Sequence, residues 1–183
     1  MGAITPIGTG KEAFWNAMME GKNGIGRITR FDPEGFHAQI AGEVKDFDPT
    51  AYIDKKESKR MDRYTQFAVA TAGMAIKDAG LDLEKENLER IGTYVGTGIG
   101  GIETMHSQYE KYFAKGPSRI SPFFVPMMIA NMAAGQVSIE YKLHGPSSCV
   151  VTACATGTNC IGDAFRVIQH GGADVMLAGG TEA

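Results

Sequence analysis

Residues 147–157 contain the side chain best suited to chemistry in this sequence, the thiol of Cys154. β-Branched and apolar residues lead up to it, and small residues flank it: Ala153, Ala155 and Gly157. A strand, a sharp turn of small residues and a helix together form a nucleophile elbow, which projects the reactive atom from the top of a sheet. The free N–H groups and positive dipole end of that helix favour the thiolate. The sequence therefore predicts an exposed nucleophile at Cys154, rather than a cysteine buried at the end of a strand.

The other two cysteines, Cys149 and Cys160, lie in the same unit, five residues before and six residues after Cys154. This spacing fits no paired zinc-binding motif, so no metal site is expected. Free cysteines are often small buried hydrophobic side chains, and both are predicted to pack in the core. An odd number of cysteines also suits a reactive thiol better than a disulfide framework.

A cysteine nucleophile usually works with a histidine, but the four histidines of this chain are poor candidates. His170 would end the helix that begins beside Cys154, about 22 Å away at 1.5 Å per residue. His144 precedes the strand that leads to Cys154 and would lie roughly 25 Å away if that strand is extended. His37 and His106 are not excluded by length, but they belong to no motif. We expect the assisting histidines to be absent from this chain.

A glycine-rich sequence, GTGIGG at residues 96–101, follows a predicted strand and precedes a predicted helix. Its spacing satisfies G-x-G-x-x-G, which is found in dinucleotide-binding loops. Those loops also require an acidic residue about 20 positions later, and here residues 117–122 read PSRISP, which counts against NAD. The alternative is a tight turn with close packing, which the backbone freedom of glycine allows.

Four basic residues, Lys56, Lys59, Arg60 and Arg63, follow the spacing of one stripe along a helix. They stand out because the whole chain has a formal net charge of −3. Such a stripe is either an ordinary solvated face or a surface that attracts an acidic partner.

The composition, 183 residues with 43% hydrophobic and 21% charged, is that of one globular domain or part of one. The net charge argues against a general nucleic-acid or anionic-membrane surface. No basic segment followed by an apolar run opens the chain. The most apolar window, residues 123–132, is far shorter than the roughly 20 residues of a membrane span. We expect a soluble, cytoplasmic protein with neither nucleic acid nor membrane as partner.

Helical and strand patterns alternate along the chain, which predicts an α/β domain with a mainly parallel sheet and no internal domain boundary. Helices are predicted over residues 11–20, 57–79, 102–114, 127–142 and 156–170. Strands are predicted over residues 91–95, 148–152 and 173–178.

Five blocks of this sequence resemble the β-ketoacyl-[acyl-carrier-protein] synthases of bacterial, type II fatty acid synthesis. They are KRMDRYTQFA at 59–68, GTGIGG at 96–101, ISPFFVP at 120–126, TACATGTNCIGDAF at 152–165 and ADVMLAGGTEA at 173–183. The resemblance implies a thiolase-like fold, in which two similar halves pack as a five-layered αβαβα sandwich. Residues 1–183 would form a partial N-terminal domain, truncated at both ends, with the C-terminal half absent.

The resemblance also implies a reaction. An acyl group would pass from acyl carrier protein to Cys154, and a decarboxylative Claisen condensation with malonyl-carrier protein would follow. No cofactor is required, because phosphopantetheine arrives on the carrier protein. The backbone N–H of Cys154 would be one oxyanion donor, and two histidines would come from the second half. The chain alone is therefore expected to be inactive.

Further residues acquire roles from the same resemblance. Gly98, Ile99, Phe124 and Ala153 would bind the acyl substrate. Ile99 would line the acyl pocket and limit chain entry, and Phe124 would reach the partner's channel across a homodimer interface.

Carrier-protein docking would use Lys56, Lys59, Arg60 and Arg119. Ser118 departs from the family pattern, which has a second basic residue there.

Two alternatives remain open from the sequence. One is a related enzyme, a polyketide ketosynthase or a thiolase, which activity on free acyl-CoA would reveal. The other is a non-catalytic fragment that binds carrier protein or a partner subunit without turnover.

Overall fold

A three-stranded parallel sheet lies at the centre of the fold in a computed structural model, which describes all of residues 1–183. The strands are β1 (Ile4–Thr5), β2 (Gly8–Thr9), β3 (Ile25–Arg27), β4 (Ile40–Gly42), β5 (Ile91–Gly96), β6 (Ser147–Ser148) and β7 (Val175–Gly180). The helices are α1 (Lys11–Met19), α2 (Lys55–Ser58), α3 (Arg63–Asp78), α4 (Ile102–Lys115), α5 (Phe124–Met128), α6 (Met132–Glu140) and α7 (Thr156–Gln169).

The central sheet has the strand order β6-β5-β7, with both pairs parallel, which confirms the prediction of a mainly parallel sheet. β5 and β7 pair along their full length, from Ile91 opposite Val175 to Gly96 opposite Gly180. Both strands therefore end at the same edge of the sheet, and the loops that follow them leave side by side. Two short antiparallel pairs, β1 with β2 and β3 with β4, lie outside this sheet.

Helices cover both faces of the central sheet, as the alternation of side chains along β5 requires. Thr93 and Val95 face α6 and α3; the Ser138 hydroxyl of α6 donates to Thr93 Oγ1 at 3.1 Å. Gly96 faces the other way, towards Cys160 on α7. None of the helices combines the length and the apolar composition that crossing a membrane needs.

Two predicted helices are each divided in the structure. The predicted helix at 57–79 consists of α2 and α3, because Asp62 caps the N-terminus of α3 by accepting from the Tyr64 N–H at 3.4 Å. The predicted helix at 127–142 consists of α5 and α6. Its break follows from the extended backbone of Ile129, whose carbonyl accepts a 2.7 Å hydrogen bond from the Tyr64 hydroxyl.

Two predicted strands have the wrong bounds. Only Ser147 and Ser148 pair with β5, whereas residues 149–152 leave the sheet towards the turn that contains Cys154. The strand predicted over 173–178 begins two residues later, at Val175, because its register is set by pairing with β5.

Candidate active site

Cys154 lies at the centre of a single 3₁₀ turn, Ala153–Ala155, that leads directly into the first residue of α7, Thr156. The Cys154 side chain is exposed, whereas Cys149 is half-buried and Cys160 is fully buried. The predicted turn and helix are therefore confirmed, although the strand before them is shorter than expected. The prediction of core packing is confirmed for Cys160 but only in part for Cys149, which is half-buried because it lies in the irregular segment that leaves the sheet.

The backbone of this turn is unusual at Ala153, whose φ of 49° lies in the left-handed region. A residue with a side chain seldom adopts this conformation, and the small alanine limits the steric cost. Hydrogen bonds hold the turn against α7: Thr152 N–H donates to Thr156 Oγ1 at 2.9 Å, and Thr152 Oγ1 donates to Asn159 Oδ1 at 2.8 Å. The Cys154 backbone N–H donates to no acceptor within the protein.

The end of β5 lies against the same turn. A Cβ atom placed on Gly96 would lie 2.2 Å from the Val150 carbonyl oxygen and 2.4 Å from Thr156 Cγ2. Only glycine fits at this contact without movement of the backbone. The glycine-rich loop 96–101 therefore starts in direct contact with the segment that presents Cys154.

Four of the sequence-predicted site residues line one open hollow of about 500 Å³: Gly98, Ile99, Ala153 and Cys154. The other lining residues come from the ends of β5 and β7 and the start of α7: Gly96, Thr97, Thr156, Gly157, Gly180, Thr181 and Glu182. Ile99 is 63% exposed and lines the same hollow as the thiol. The structure therefore brings together the predicted nucleophile and the residue predicted to limit the acyl chain.

Glu182 is a member of this hollow that the sequence patterns did not single out. Its carboxylate accepts a 2.8 Å hydrogen bond from the Thr97 hydroxyl and a 2.7 Å hydrogen bond from the Gly98 N–H. The available signal was an acidic residue four positions after the end of the strand predicted over 173–178, with Gly179 and Gly180 between them. The sequence alone does not show that this glutamate lies beside the glycine-rich loop, because that position depends on the pairing of β7 with β5.

The three thiols differ in their surroundings. Burial raises the pKa of the Cys149 thiol, whose sulfur also contacts the Ala130 carbonyl oxygen at 3.4 Å. Cys160 is 0% exposed and packs against the end of β5. Cys154 is thus the one thiol that both faces the hollow and is open to solvent.

Phe124 does not line the hollow. It is the first residue of α5 and is half-buried, while its neighbour Phe123 is 40% exposed. The Arg60 guanidinium lies 4.9 Å from the centre of the Phe123 ring. Residues 121–126, the aromatic loop, thus contact one of the predicted docking residues, Arg60. The role of Phe124 at a dimer interface stays a prediction.

The predicted stripe of four basic residues is wrong in its last member. Lys56 and Lys59 are exposed, and Arg60 is partly exposed and paired with Glu57 at 2.9 Å. Arg63 instead begins α3 and turns inward, where it donates to the Val44 carbonyl oxygen at 2.6 Å and stacks on Phe67. The break between α2 and α3 causes this difference, because the four residues no longer share one helix.

Arg119 is exposed at the end of a short 3₁₀ turn after α4, and Ser118 lies exposed beside it. Lys111 and Lys115, on the last turns of α4, line a small surface hollow together with Arg119. Two lysines outside the predicted docking set thus accompany Arg119.

None of the four histidines lines the hollow around Cys154. His170 Nδ1 lies 2.7 Å from the Arg166 carbonyl oxygen, and His106 Nε2 lies 3.4 Å from a Glu110 carboxylate oxygen. No group of three or more His, Cys, Asp or Glu side chains is arranged to hold a metal ion.

Solved ketosynthases share this architecture over the whole chain, and they define it as the N-terminal half of a thiolase-like fold. The ishigamide ketosynthase/chain length factor has a TM-score of 0.89 at 33% identity, covering 100% of this chain and 46% of its own. A type II polyketide synthase acyl-carrier protein in complex with its ketosynthase, bound to the hexaketide, gives 0.85 at 25% identity, covering 100% of this chain and 49% of its own.

Residues 1–183 match the family model of the β-ketoacyl synthase N-terminal domain, and the chain belongs to this family. The 3-oxoacyl-[acyl-carrier-protein] synthase 2 of Staphylococcus aureus is 51% identical over 183 residues, which is 100% of this chain and 45% of that relative. The chain therefore spans less than half the length of this relative.

Proposed function

We propose that the full-length product of the gene for this chain condenses an acyl group with a malonyl group in fatty acid synthesis. The observation that carries the proposal is the exposed thiol of Cys154 at the start of α7, in one hollow with Gly98 and Ile99. The 51% identity to a 3-oxoacyl-[acyl-carrier-protein] synthase 2 supports the same reaction.

In the first step, the Cys154 sulfur attacks the thioester carbonyl of acyl-carrier protein. The new C–S bond replaces the bond to the phosphopantetheine thiol, which leaves with a proton. Exchange of one thioester for another is nearly balanced in energy, so the bound acyl group remains electrophilic. In the second step, malonyl-carrier protein loses CO₂, and its α-carbon attacks the acyl carbonyl. The Cys154 sulfur then leaves as a thiolate and takes up a proton.

The negative oxygen that forms in both steps requires hydrogen-bond donors. The backbone N–H of Cys154 is the proposed first donor, because it belongs to the proposed nucleophile and has no acceptor within the protein. A fixed donor of this kind typically contributes about 10²-fold or more in rate. The second donor and the assisting histidines are proposed to lie in the C-terminal half, as in the family.

The proposed carrier-protein surface consists of Lys56, Lys59, Arg60 and Arg119. Three of these side chains are exposed and the fourth is partly exposed, so they are accessible to an acidic partner. A solved relative with this fold is a ketosynthase in complex with its acyl-carrier protein, which supports the assignment. Exposed charges of this kind act mainly on the association rate and its salt dependence.

We also assign a homodimer and a cytoplasmic location to the full-length protein. The dimer contact would involve the aromatic loop, where Phe123 and Val125 are exposed. Apolar and aromatic side chains are typical of the buried centre of such contacts. The cytoplasmic location is supported by the odd number of cysteines and by the reactive role proposed for Cys154.

A polyketide ketosynthase is the second candidate, because one solved structure with the same fold contains the ketosynthase of a type II polyketide synthase. Its identity of 25% is well below the 51% to the 3-oxoacyl synthase, which favours fatty acid synthesis. The product distinguishes the candidates. A fatty acid enzyme releases a β-ketoacyl product after one condensation, whereas a polyketide enzyme extends it repeatedly without reduction.

The test is condensation by the purified full-length protein with acyl- and malonyl-carrier protein, followed by mass spectrometry of the product and by CO₂ release. We expect one condensation per cycle and a fall of at least about 10²-fold with Cys154→Ala. Cys149→Ser is the matched control, because it changes a thiol outside the hollow. Carrier-protein binding without CO₂ release would favour a binding module, and equal activity on free acyl-CoA would favour a thiolase.

Docking is tested by reversing the charges of Lys56, Lys59 and Arg60 together and measuring carrier-protein binding at several salt concentrations. We expect a slower association and a smaller salt dependence. The control variant reverses three exposed lysines at the opposite end of the sheet: Lys77, Lys85 and Lys142. Equal effects of the two triple variants would contradict the proposed docking surface, because the change in binding would then follow from net charge alone.

A further inference from the structure

The pairing of β5 with β7 brings Glu182 to the glycine-rich loop, although 84 residues separate Glu182 from Gly98. The ladder continues past the strands, where the Thr181 N–H donates to the Gly96 carbonyl oxygen at 3.0 Å. The Thr181 hydroxyl also donates to the Tyr64 carbonyl oxygen at 2.6 Å, which fixes this segment against α3. Glu182 is therefore presented by a segment that is held on two sides.

The Glu182 carboxylate holds the loop at two consecutive residues. One oxygen accepts from the Thr97 hydroxyl and the other accepts from the Gly98 N–H, at 2.8 and 2.7 Å. The Thr97 oxygen in turn accepts from the Gly100 N–H at 3.2 Å. Hydrogen bonds to a charged acceptor are among the stronger ones in proteins. Ile99 thus lies between two residues whose backbone N–H groups belong to one connected network.

The space around Gly98 shows how closely this network approaches the nucleophile turn. A Cβ atom on Gly98 would lie 2.8 Å from the Glu182 carboxylate and 3.4 Å from Ala153 Cα. The carboxylate and the residue before Cys154 thus both lie close to the position that a side chain on Gly98 would occupy. A shift of the carboxylate would move the loop relative to Cys154.

We propose that Glu182 is a positioning residue that fixes the glycine-rich loop, and with it Ile99, across the hollow from Cys154, and so sets the length of acyl chain that the site accepts. This inference rests on the proposed function for its substrate. Glu182 does not itself need to touch the reacting atoms. It acts through Thr97 and Gly98.

The test compares Glu182→Ala with Glu182→Gln in the full-length protein. The glutamine oxygen can accept from the Gly98 N–H while its amide donates to Thr97 Oγ1, so the geometry can be retained without the charge. We expect Glu182→Ala to change the ratio of kcat/KM for long and short acyl-carrier proteins by about tenfold or more, since small displacements at a reacting site have large effects on rate. Glu182→Gln should restore a ratio close to that of the unchanged protein.

A second readout does not require condensation. Cys154 is alkylated with N-ethylmaleimide and with a long-chain N-alkylmaleimide, and the ratio of the two rates reports the shape of the hollow. We expect Glu182→Ala to change this ratio and Glu86→Ala, at an exposed glutamate in the loop before β5, to leave it unchanged. If the unchanged protein does not condense but the maleimide ratio shifts, the proposed function fails and the positioning role stands.

Thr97→Val is a second variant that keeps the side-chain shape and removes one of the two hydrogen bonds to Glu182. It should shift both ratios in the same direction as Glu182→Ala, with restoration by Thr97→Ser. The proposal is overturned if Glu182→Ala or Thr97→Val leaves both ratios unchanged. It is also overturned if glutamine fails to restore them, because the effect would then depend on the charge and not on the position of the loop.

Discussion

The buried carboxylate of Asp62 should be among the most important side chains for stability, because it joins two helices at their N-termini. Asp62 is 5% exposed. One of its oxygens accepts from the Thr104 N–H at 2.9 Å and from the Thr104 hydroxyl at 2.6 Å, at the start of α4. The other accepts from the Tyr64 N–H at 3.4 Å, at the start of α3. Replacement by alanine removes all three hydrogen bonds.

The cost of Asp62→Ala follows from these contacts. A hydrogen bond to a charged group contributes about 1.5 kcal/mol or more, and an N-terminal cap contributes about 1 kcal/mol. The Thr104 N–H would also be left in a site where Thr104 is only 5% exposed, which adds a desolvation penalty of about 1 kcal/mol. With two such hydrogen bonds from Thr104, we therefore expect the free energy of unfolding to fall by about 5 kcal/mol.

The assay is urea-induced unfolding of the full-length protein, with Asp62→Asn as the matched control. Asparagine can place its oxygen towards Thr104, but its NH₂ group then faces the Tyr64 N–H, so only the cap of α3 is lost. We expect this variant to lose about 1–2 kcal/mol. A loss below about 1 kcal/mol in Asp62→Ala, or equal losses in the two variants, would show that these hydrogen bonds do not contribute additively to the free energy of unfolding.

Three further predictions concern the hollow and the core. Ile99→Phe should lower kcat/KM for the longest acyl chains by about tenfold and leave short chains unaffected, as a profile across chain lengths would show. Limiting iodoacetamide should label Cys154 at least about tenfold faster than Cys149, whose pKa is raised by burial; equal labelling by mass spectrometry would contradict the active-site assignment. Burial also raises the pKa of Tyr64 and of Tyr141 to about 12. Because an unfolded tyrosine ionises near pH 10, the contribution of these two tyrosines to the free energy of unfolding should be constant below about pH 10 and fall towards pH 12, and Tyr64→Phe should reduce that fall.

The turn around Cys154 was predictable because all of its determinants are local. Small residues on both sides of the thiol permit the turn, and the apolar periodicity of α7 begins directly after it. The parallel sheet was predictable for a related reason, since helices alternate with short apolar strands. Both features can be predicted without knowing which strands pair with each other.

The division between α2 and α3 was not predictable from periodicity. The spacing of Met61, Tyr64 and Ala68 continues across the break, and all three side chains are buried in the same cluster. What stops the helix is Asp62, whose carboxylate reaches Thr104 from 42 residues away. The direction of Arg63 follows from the same break, so its assignment to the basic stripe was wrong for the same reason.

The carboxylates of Glu182 and Asp62 hold the two ends of the glycine-rich loop. Glu182 binds the start of the loop at Thr97 and Gly98, and Asp62 binds Thr104, just beyond its end. Ile99 lies between these two fixed points while its own side chain remains exposed. If both carboxylates act by holding the same loop, Asp62→Ala and Glu182→Ala should each alter the acyl-chain profile, and their combination should alter it by less than the sum in free energy. Full additivity in a double-mutant cycle would mean that the two carboxylates position different parts of the site.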